Sequence, residues 1–336
     1  MTRSRLRTAV AVALCATVVA ACGDENSAAN GAAEGTRLYL VAYSVAEPGW
    51  SAILPAFADT PAGRKVEVRT SYGASGNKSH AVVDGLVADI VNFSDEPDVT
   101  RLVSAEMVPA DWNSDATRGI PFGSVVSLVV RQGNPENIRG WDDLLRPGVE
   151  VVTPNPLTSG SAKWNLLAPY AVKSHGGQDP DAGLEYVDQL LSEHVRVWPE
   201  SAAEAADLFL EGTGDVLLSY ENEAIRVQRD GDPIEYVNPL ETFKIENPVA
   251  VLSSGTHVTQ ATALKNFLFT PQGQRIWAQA GFRPVDPAVA QEFSGQFPPV
   301  PKLWTIDDLG GWEAVEPALF DKDHGAITTI YQRATG

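Results

Sequence analysis

Three stretches of this chain combine serine with small residues in a pattern suited to holding an anion. They are SYGASGNKS (71–79), TPNPLTSGSAKWN (153–165) and WPESAAE (198–204). In the third, Ser201 reads as the N-cap of a helix. In the first and second, a short apolar run comes before the loop and helical spacing follows it. A helix N-terminus leaves N–H groups without partners and carries the positive end of the helix dipole, so it is a ready anion site. Glycine and serine add little bulk, which lets a ligand approach the backbone. Any one of these loops is equally a plain capped helix. Three together point to binding, but their spacing names no ligand.

A serine at such a place could instead act as a nucleophile on a sulfate or phosphate ester, with the N–H groups as an oxyanion hole. That chemistry needs an activating base. His80 lies five residues beyond Ser75, on a different helical face, and no triad pattern is present. The histidines (His80, His175, His194, His257 and His324) are scattered, with no His-Glu-x-x-His. No metal site, no cofactor and no enzymatic activity are therefore expected.

The elements that must position these loops alternate. Strand candidates are 37–43, 65–71, 90–93, 124–131, 149–153, 195–198, 215–219 and 249–252, with helical segments such as 50–58 between them. Strand–helix alternation predicts an α/β architecture with largely parallel sheets, whose ligands sit in loops beyond the carboxyl ends of strands.

A length of 336 residues suggests two domains, and 44% hydrophobic with 20% charged residues suits a chain that buries a real core. Acidic residues outnumber basic ones 43 to 25, a net charge of −18, which argues against nucleic acid as a partner. Residues 1–22 read MTRSRLRTAVAVALCATVVAAC: an arginine-bearing start, an apolar run too short for a permanent span, and small residues before Cys22. Both cysteines fall in this segment, so no disulfide framework is expected in the body. Val19-Ala20-Ala21-Cys22 resembles the lipobox of bacterial lipoproteins. That resemblance implies cleavage before Cys22, a diacylglyceryl thioether on its sulfur, and a small-residue tether over 22–35. Without residues 1–21 the chain has 22 basic and 43 acidic residues, a net charge of −21.

Longer runs carry a wider resemblance. GVEVVTPNPLTSGSAKWNLLAPYA (148–171), SYGASGNKS (71–79), VVRQGNPENIRGWDDLLRPG (129–148), GTGDVLLSYENEA (212–224), GFRPVDPAVA (281–290) and KLWTIDDLGGW (302–312) resemble the periplasmic sulfate-binding proteins of ABC importers, in their actinobacterial lipoprotein form. The likeness implies a periplasmic-binding-protein type II fold, two α/β lobes joined by two crossovers with the ligand between them. Crossovers near 119–123 and 244–248 would make one lobe from 36–122 plus 247–336 and the other from 123–246. Carried over residue by residue, it implies backbone donors at Ser75, Gly160, Ser161 and Ser201 and a hydroxyl donor at Ser159, with Ser44 at the end of the first strand and Tyr220 in place of an indole donor; the hydroxyls of Ser44, Ser159 and Tyr220 can each rotate to accept, which softens rejection of phosphate. Relatives commonly have Asp at the place of Ser44, Gly at that of Ser161, an indole at that of Tyr220, and an Arg where this chain has Ala202 and Ala203. No Asp or Glu occupies a matched position, and no Lys or Arg is expected on the ligand. Lys78 and Lys163 are read as supporting or surface groups, and Glu47, Glu200 and Glu221 as solvated, capping or outward-facing ones. The tryptophans are assigned to the core, with Trp50 a candidate cover for the cleft mouth.

The implied ligand is sulfate; thiosulfate, molybdate and tungstate stay open as alternatives, as does a lipid-anchored sensor. The implied partners are an ABC permease and ATPase. The protein would work as a monomer on the outer face of the cytoplasmic membrane, anchored through Cys22.

Overall fold

The loose alternation of residues 37–43 reflects a strand covered on both sides. β1 (Thr36–Tyr43) lies between β2 (Val66–Gly73) and β3 (Ile90–Asn92), parallel to both. Each of these strands leads into a helix: α1 (Glu47–Ala58), α2 (Ser75–Val83) and α3 (Glu96–Ser104). The computed structural model describes residues 35–336, which form one compact unit. The expected signal segment, the expected lipidation site Cys22 and all of the expected tether but Gly35 lie outside the described residues.

A long strand, β4 (Phe122–Arg131), opens the second sheet and is buried at every position but its last. Then follow β5 (Val151–Val152), α4 (Gly160–Lys173), α5 (Pro180–Gln189), α6 (Ala202–Leu210), β6 (Val216–Tyr220), α7 (Glu221–Asp230), β7 (Ile234–Val237) and β8 (Glu241–Glu246). The chain returns through β9 (Val249–Val251), α8 (Val258–Leu268) and α9 (Pro271–Gln279), and ends with β10 (Arg283–Pro284), α10 (Pro287–Glu292), β11 (Lys302–Trp304), α11 (Trp312–Val315) and α12 (Ala326–Thr335). The first sheet has the order β2-β1-β3-β9; the second runs β11-β8-β4-β6-β5, with β7 and β10 also on β4.

The expectation of largely parallel sheets holds for β1, β2 and β3 and fails for the second sheet. β4 is antiparallel to β6, β7, β8 and β10, and β9 is antiparallel to β3. The reason lies in the connections. β4 leaves the first sheet and β8 heads back to it, so where they run side by side (Gly123↔Glu246, Ser124↔Ile245, Val125↔Lys244) they must point in opposite directions. The predicted strand at 195–198 is reduced to a single bridge from Val195 to Val151. Strand pairing also cuts the 247–336 segment differently. β10 pairs with β4 and β11 with β8, while α12 packs on α5, so these parts sit with the second sheet.

One apolar cluster runs through both sheets. On one side Trp277 packs against Phe122, Phe282 and the edge of Trp50. On the other, Trp164 meets Phe243 and Trp312. Trp50 is thus core and no cover for a cleft: it is fully buried, and its indole N–H donates to Asn92 Oδ1 at 2.8 Å. Gly49 allows this, because a Cβ there would stand 2.0 Å from the Trp277 ring.

Candidate anion-binding site

All seven predicted site residues fall at junctions where an element begins or ends. Ser44 opens a short 3-10 turn directly after β1, and Ser75 is the first residue of α2. Ser159 is the N-cap of α4, and Gly160 and Ser161 are its first two residues. Ser201 caps α6, and Tyr220 ends β6. Strands carry these points to one edge of the fold and helices start there, so first-turn N–H groups face the same region.

Hydrogen bonds tie the loops together. Gly76 N–H donates to Thr158 C=O at 3.0 Å, which sets the start of α2 beside that of α4. Asn155 N–H donates to Pro199 C=O at 2.8 Å, and Thr158 Oγ1 to Glu200 C=O at 2.9 Å, which joins the second loop to the third. Tyr220 Oη and Ser94 Oγ share a bond of 2.7 Å, and Ser94 N–H donates to Ser75 Oγ at 2.9 Å. The turn holding Ser44 lies against α6, and Tyr43 packs near Tyr220 with ring centroids 6.4 Å apart.

These bonds decide which hydroxyls are free to act. Ser75 Oγ donates to Asp98 Oδ2 at 2.6 Å while accepting from Ser94, so only its N–H is left to offer. Ser201 Oγ accepts from Glu204 N–H at 3.2 Å, an ordinary cap. Ser159 is buried, yet its hydroxyl makes no capping bond to its helix. Burial holds the Tyr220 phenol far above the usual tyrosine range, with bonds to Ser161, Ser94 and Asn247 opposing the shift; Tyr43 is raised by burial too. Both therefore keep their protons at neutral pH.

Nearby cations are engaged elsewhere. Lys163 is buried, with Nζ 2.8 and 2.9 Å from the two Glu316 oxygens and 3.7 Å from Asp95 Oδ2. Arg101 bonds Asp98 at 2.7 Å, and Lys78 donates to Ser71 Oγ at 2.8 Å. Glu47 and Glu200 are exposed. Glu221 departs from its expected outward-facing role: it is fully buried, clasped by Arg283 at 2.6 and 2.9 Å and bonded by Asn238 at 2.6 Å. At the start of α7 and fully buried, that carboxylate has no water to hold it, and a guanidinium takes water's place. Among the described residues no cluster of three or more His, Cys, Asp or Glu is arranged for a metal.

Sequence reasoning missed the corner Ser94–Asp95. Besides its bonds to Ser75 and Tyr220, Ser94 C=O accepts from Trp164 Nε1 and Asn247 Nδ2, both at 2.8 Å. Asp95 caps α3 and is fully buried. The signal was present: SDEP directly after the 90–93 strand is a fourth strand-end loop with an N-cap and a proline at the helix start.

Comparison with known proteins places this geometry. Residues 38–283 match the family described as bacterial extracellular solute-binding protein. The chain belongs to that family. It is 36% identical to a sulfate-binding protein of Synechococcus elongatus, covering 99% of this chain and 98% of that one. A thiosulfate-binding protein of Pseudomonas aeruginosa is 32% identical, covering 90% and 95%. Among solved structures, the sulfate-binding protein SubI from Mycobacterium tuberculosis is 62% identical, with a TM-score of 0.84 over 85% of this chain and 100% of that one. This solute-binding protein has the type II periplasmic-binding-protein fold. The seam between its two sheets runs through Gly76 and Thr158, Ser94 and Tyr220, and Asp95 and Gly160.

Proposed function

We propose that this chain captures sulfate outside the cytoplasmic membrane and hands it, unchanged, to the permease of an ABC importer driven by its ATPase. The observation that carries this reading is the seam. The starts of α2, α4 and α6 are tied together there, and the neighbouring cations are already spent on carboxylates or, for Lys78, on Ser71. The ligand donors are then the N–H groups of Ser44, Ser75, Gly160, Ser161 and Ser201, the Ser159 hydroxyl and the Tyr220 phenol. The lobes are the bodies built on the two sheets, joined where β4 and β8 cross.

Donors of this kind suit a fully ionised tetrahedral anion. Sulfate has no proton at neutral pH and needs only donors. Hydrogen phosphate brings a proton that would face other donors, at a cost above that of a lost bond. Ser75 Oγ is saturated and Ser201 Oγ is capping, so few acceptors remain for it. The net charge of −21 for the mature chain is no obstacle, because charges beyond about 8 Å are largely screened in physiological salt. Binding without turnover fits the Ser75 hydroxyl, which is held between Asp98 and Ser94 while His80 is exposed.

The leader resembles a lipoprotein signal, so a lipid on Cys22 would hold the monomer at the outer face of the membrane by its tether. The test is calorimetric titration of the purified mature chain with sulfate, thiosulfate, molybdate and phosphate. Sulfate is expected to bind and phosphate to bind far more weakly. Molybdate tighter than sulfate by more than about tenfold, roughly 1.4 kcal/mol, overturns the choice of ligand. Thiosulfate tighter than sulfate by that margin moves the chain to the thiosulfate side, where the Pseudomonas relative stands.

A further inference from the structure

The expected tether enters the fold at an edge that anion binding does not use. Gly35 lies against the chain just before β2: a Cβ on it would stand 2.9 Å from the Lys65 carbonyl oxygen. β1 starts at the next residue. At the same edge two loop segments are bonded together. Tyr39 N–H donates to Asp89 Oδ2 at 2.8 Å, Leu252 N–H to Asp89 C=O at 3.0 Å, and Ser253 N–H to Met107 C=O at 2.9 Å. Arg37, Leu86, Val87, Met107 and His257 line the shallow pocket between them. Gly85, at φ 107°, turns the chain sharply out of α2 and leaves Leu86 and Val87 exposed.

Seven large apolar side chains are exposed among the described residues, and four of them, Val83, Leu86, Val87 and Val258, gather here. Val87 is 62% exposed. Such side chains met singly need no explanation, but a group of them marks a contact. The charges around them cancel. Arg37, Arg64, Lys65 and Arg69 stand with Asp59, Glu67, Asp84 and Glu106, all exposed, and Arg37 and Arg69 both pair with Glu67. A chain whose net charge is −21 without its leader is repelled by anionic lipid over most of its surface; this balanced edge is not.

The occupant follows from where the tether leads. Residues 22–34 can span at most about 45 Å, their fully extended length. A lipid on Cys22 therefore keeps this edge within that distance of a bilayer, and a contact too weak to hold a free protein becomes an intramolecular one. We propose that Val83, Leu86, Val87 and Val258 rest in the surface of the bilayer that holds Cys22. This rests on the lipid-anchored reading above. Ser44 and Ser75 lie beyond the far ends of β1 and β2, and eight residues of strand put about 26 Å between the two edges. Docked this way, the chain turns its anion loops away from the lipid and towards arriving solute.

The experiment is amide hydrogen exchange on the lipidated chain in vesicles of phosphatidylethanolamine and phosphatidylglycerol, set against the same mature chain without lipid in solution. Exchange over 83–88 and 254–258 should slow by about tenfold or more in the vesicles, with the loop at 155–161 unchanged. Val87→Asp alters an exposed side chain, so the fold should hold; the variant should stay with the vesicles through Cys22 and lose most of the slowing. Equal exchange over 83–88 in the two settings, with the lipid on Cys22 verified by mass spectrometry, overturns the proposal and leaves the anchor standing. Slowing that follows protein concentration in the absence of vesicles assigns the edge to a second copy and overturns it too. A mature chain without lipid on Cys22 in the native membrane overturns both the anchor and the proposal.

Discussion

Gly160→Ala adds one methyl group at the seam and separates closure from folding. Gly160 is the first residue of α4 and has no left-handed backbone angle, so alanine fits its local conformation. By propensity alone the change steadies the helix, by at most about 0.5–1 kcal/mol. Across the seam the new Cβ would stand 2.6 Å from Asp95 Oδ2 and 2.9 Å from Ser94 Cβ. Neither atom ends a long flexible chain. Ser94 is held through its C=O by Trp164 and Asn247 and through its N–H by Ser75. The clash is therefore relieved by moving the two sides apart, and the cost falls on the closed form alone. Overpacking of this kind typically costs about 1–3 kcal/mol. Spent on closure, that is a loss of about 5- to 150-fold in sulfate affinity. The assay is paired: calorimetric Kd for sulfate, and the melting temperature of the ligand-free chain. Weaker binding with an unchanged or higher melting temperature is expected. A Kd within twofold of the parent would refute the placement of Gly160 against Ser94 and Asp95 in the bound state.

Three further outcomes follow from the same contacts. Ser159→Ala removes a buried hydroxyl that caps nothing, and should cost about 1–3 kcal/mol of sulfate affinity if it meets the ligand; an unchanged Kd removes Ser159 from the site. Arg283→Leu strips the guanidinium from fully buried Glu221 and should lower folding stability by about 3–5 kcal/mol in urea titrations, whereas a loss under about 1 kcal/mol contradicts a buried charge there. Glu223 is pushed up to about 7 by burial, against the Ser219 hydroxyl that donates to it. For an acid raised above its ordinary value near 4.5, the contribution to stability is whole below that value and drains away as pH rises toward 7, on the order of 3 kcal/mol in all. Glu223→Gln should remove that part of the slope in melts from pH 4.5 to 7.5, and an unaltered slope excludes it.

The loops were the legible part of this chain. Ser75, Ser159 and Ser201 each follow a strand signal and precede helical spacing, and all three head helices in the structure. Local sequence carries that much because caps and turns are decided within a few residues. What was hidden depends on contacts distant in sequence. Nothing near Glu221 announces Arg283, 62 residues later, so its burial could not be foreseen. Trp50 reads the same in a core or at a cleft mouth until Trp277 is placed beside it. The antiparallel character of β4 follows from the route the chain takes on its return, and periodicity records no direction. Ser94 and Asp95 are within reach of sequence, since the SDEP loop obeys the same grammar as the other three; what hides them is that their partners, Tyr220 at the end of β6 and Trp164 in α4, come 70 residues or more later in the chain.

The late strands β10 and β11 have a mechanical meaning. β10 lines up with Gly123 and Phe122 at the root of the outgoing crossover, and β11 lies beside the returning one. Two ribbons alone could bend and also twist; a third passage braced on both leaves a single line to flex about. In the two-lobed reading proposed above, opening would then resemble the turning of a book cover more than the swivel of a joint. On each return the starts of α2 and α4 would meet through the same Gly76–Thr158 bond, and little orientational freedom would have to be surrendered when the proposed guest arrives.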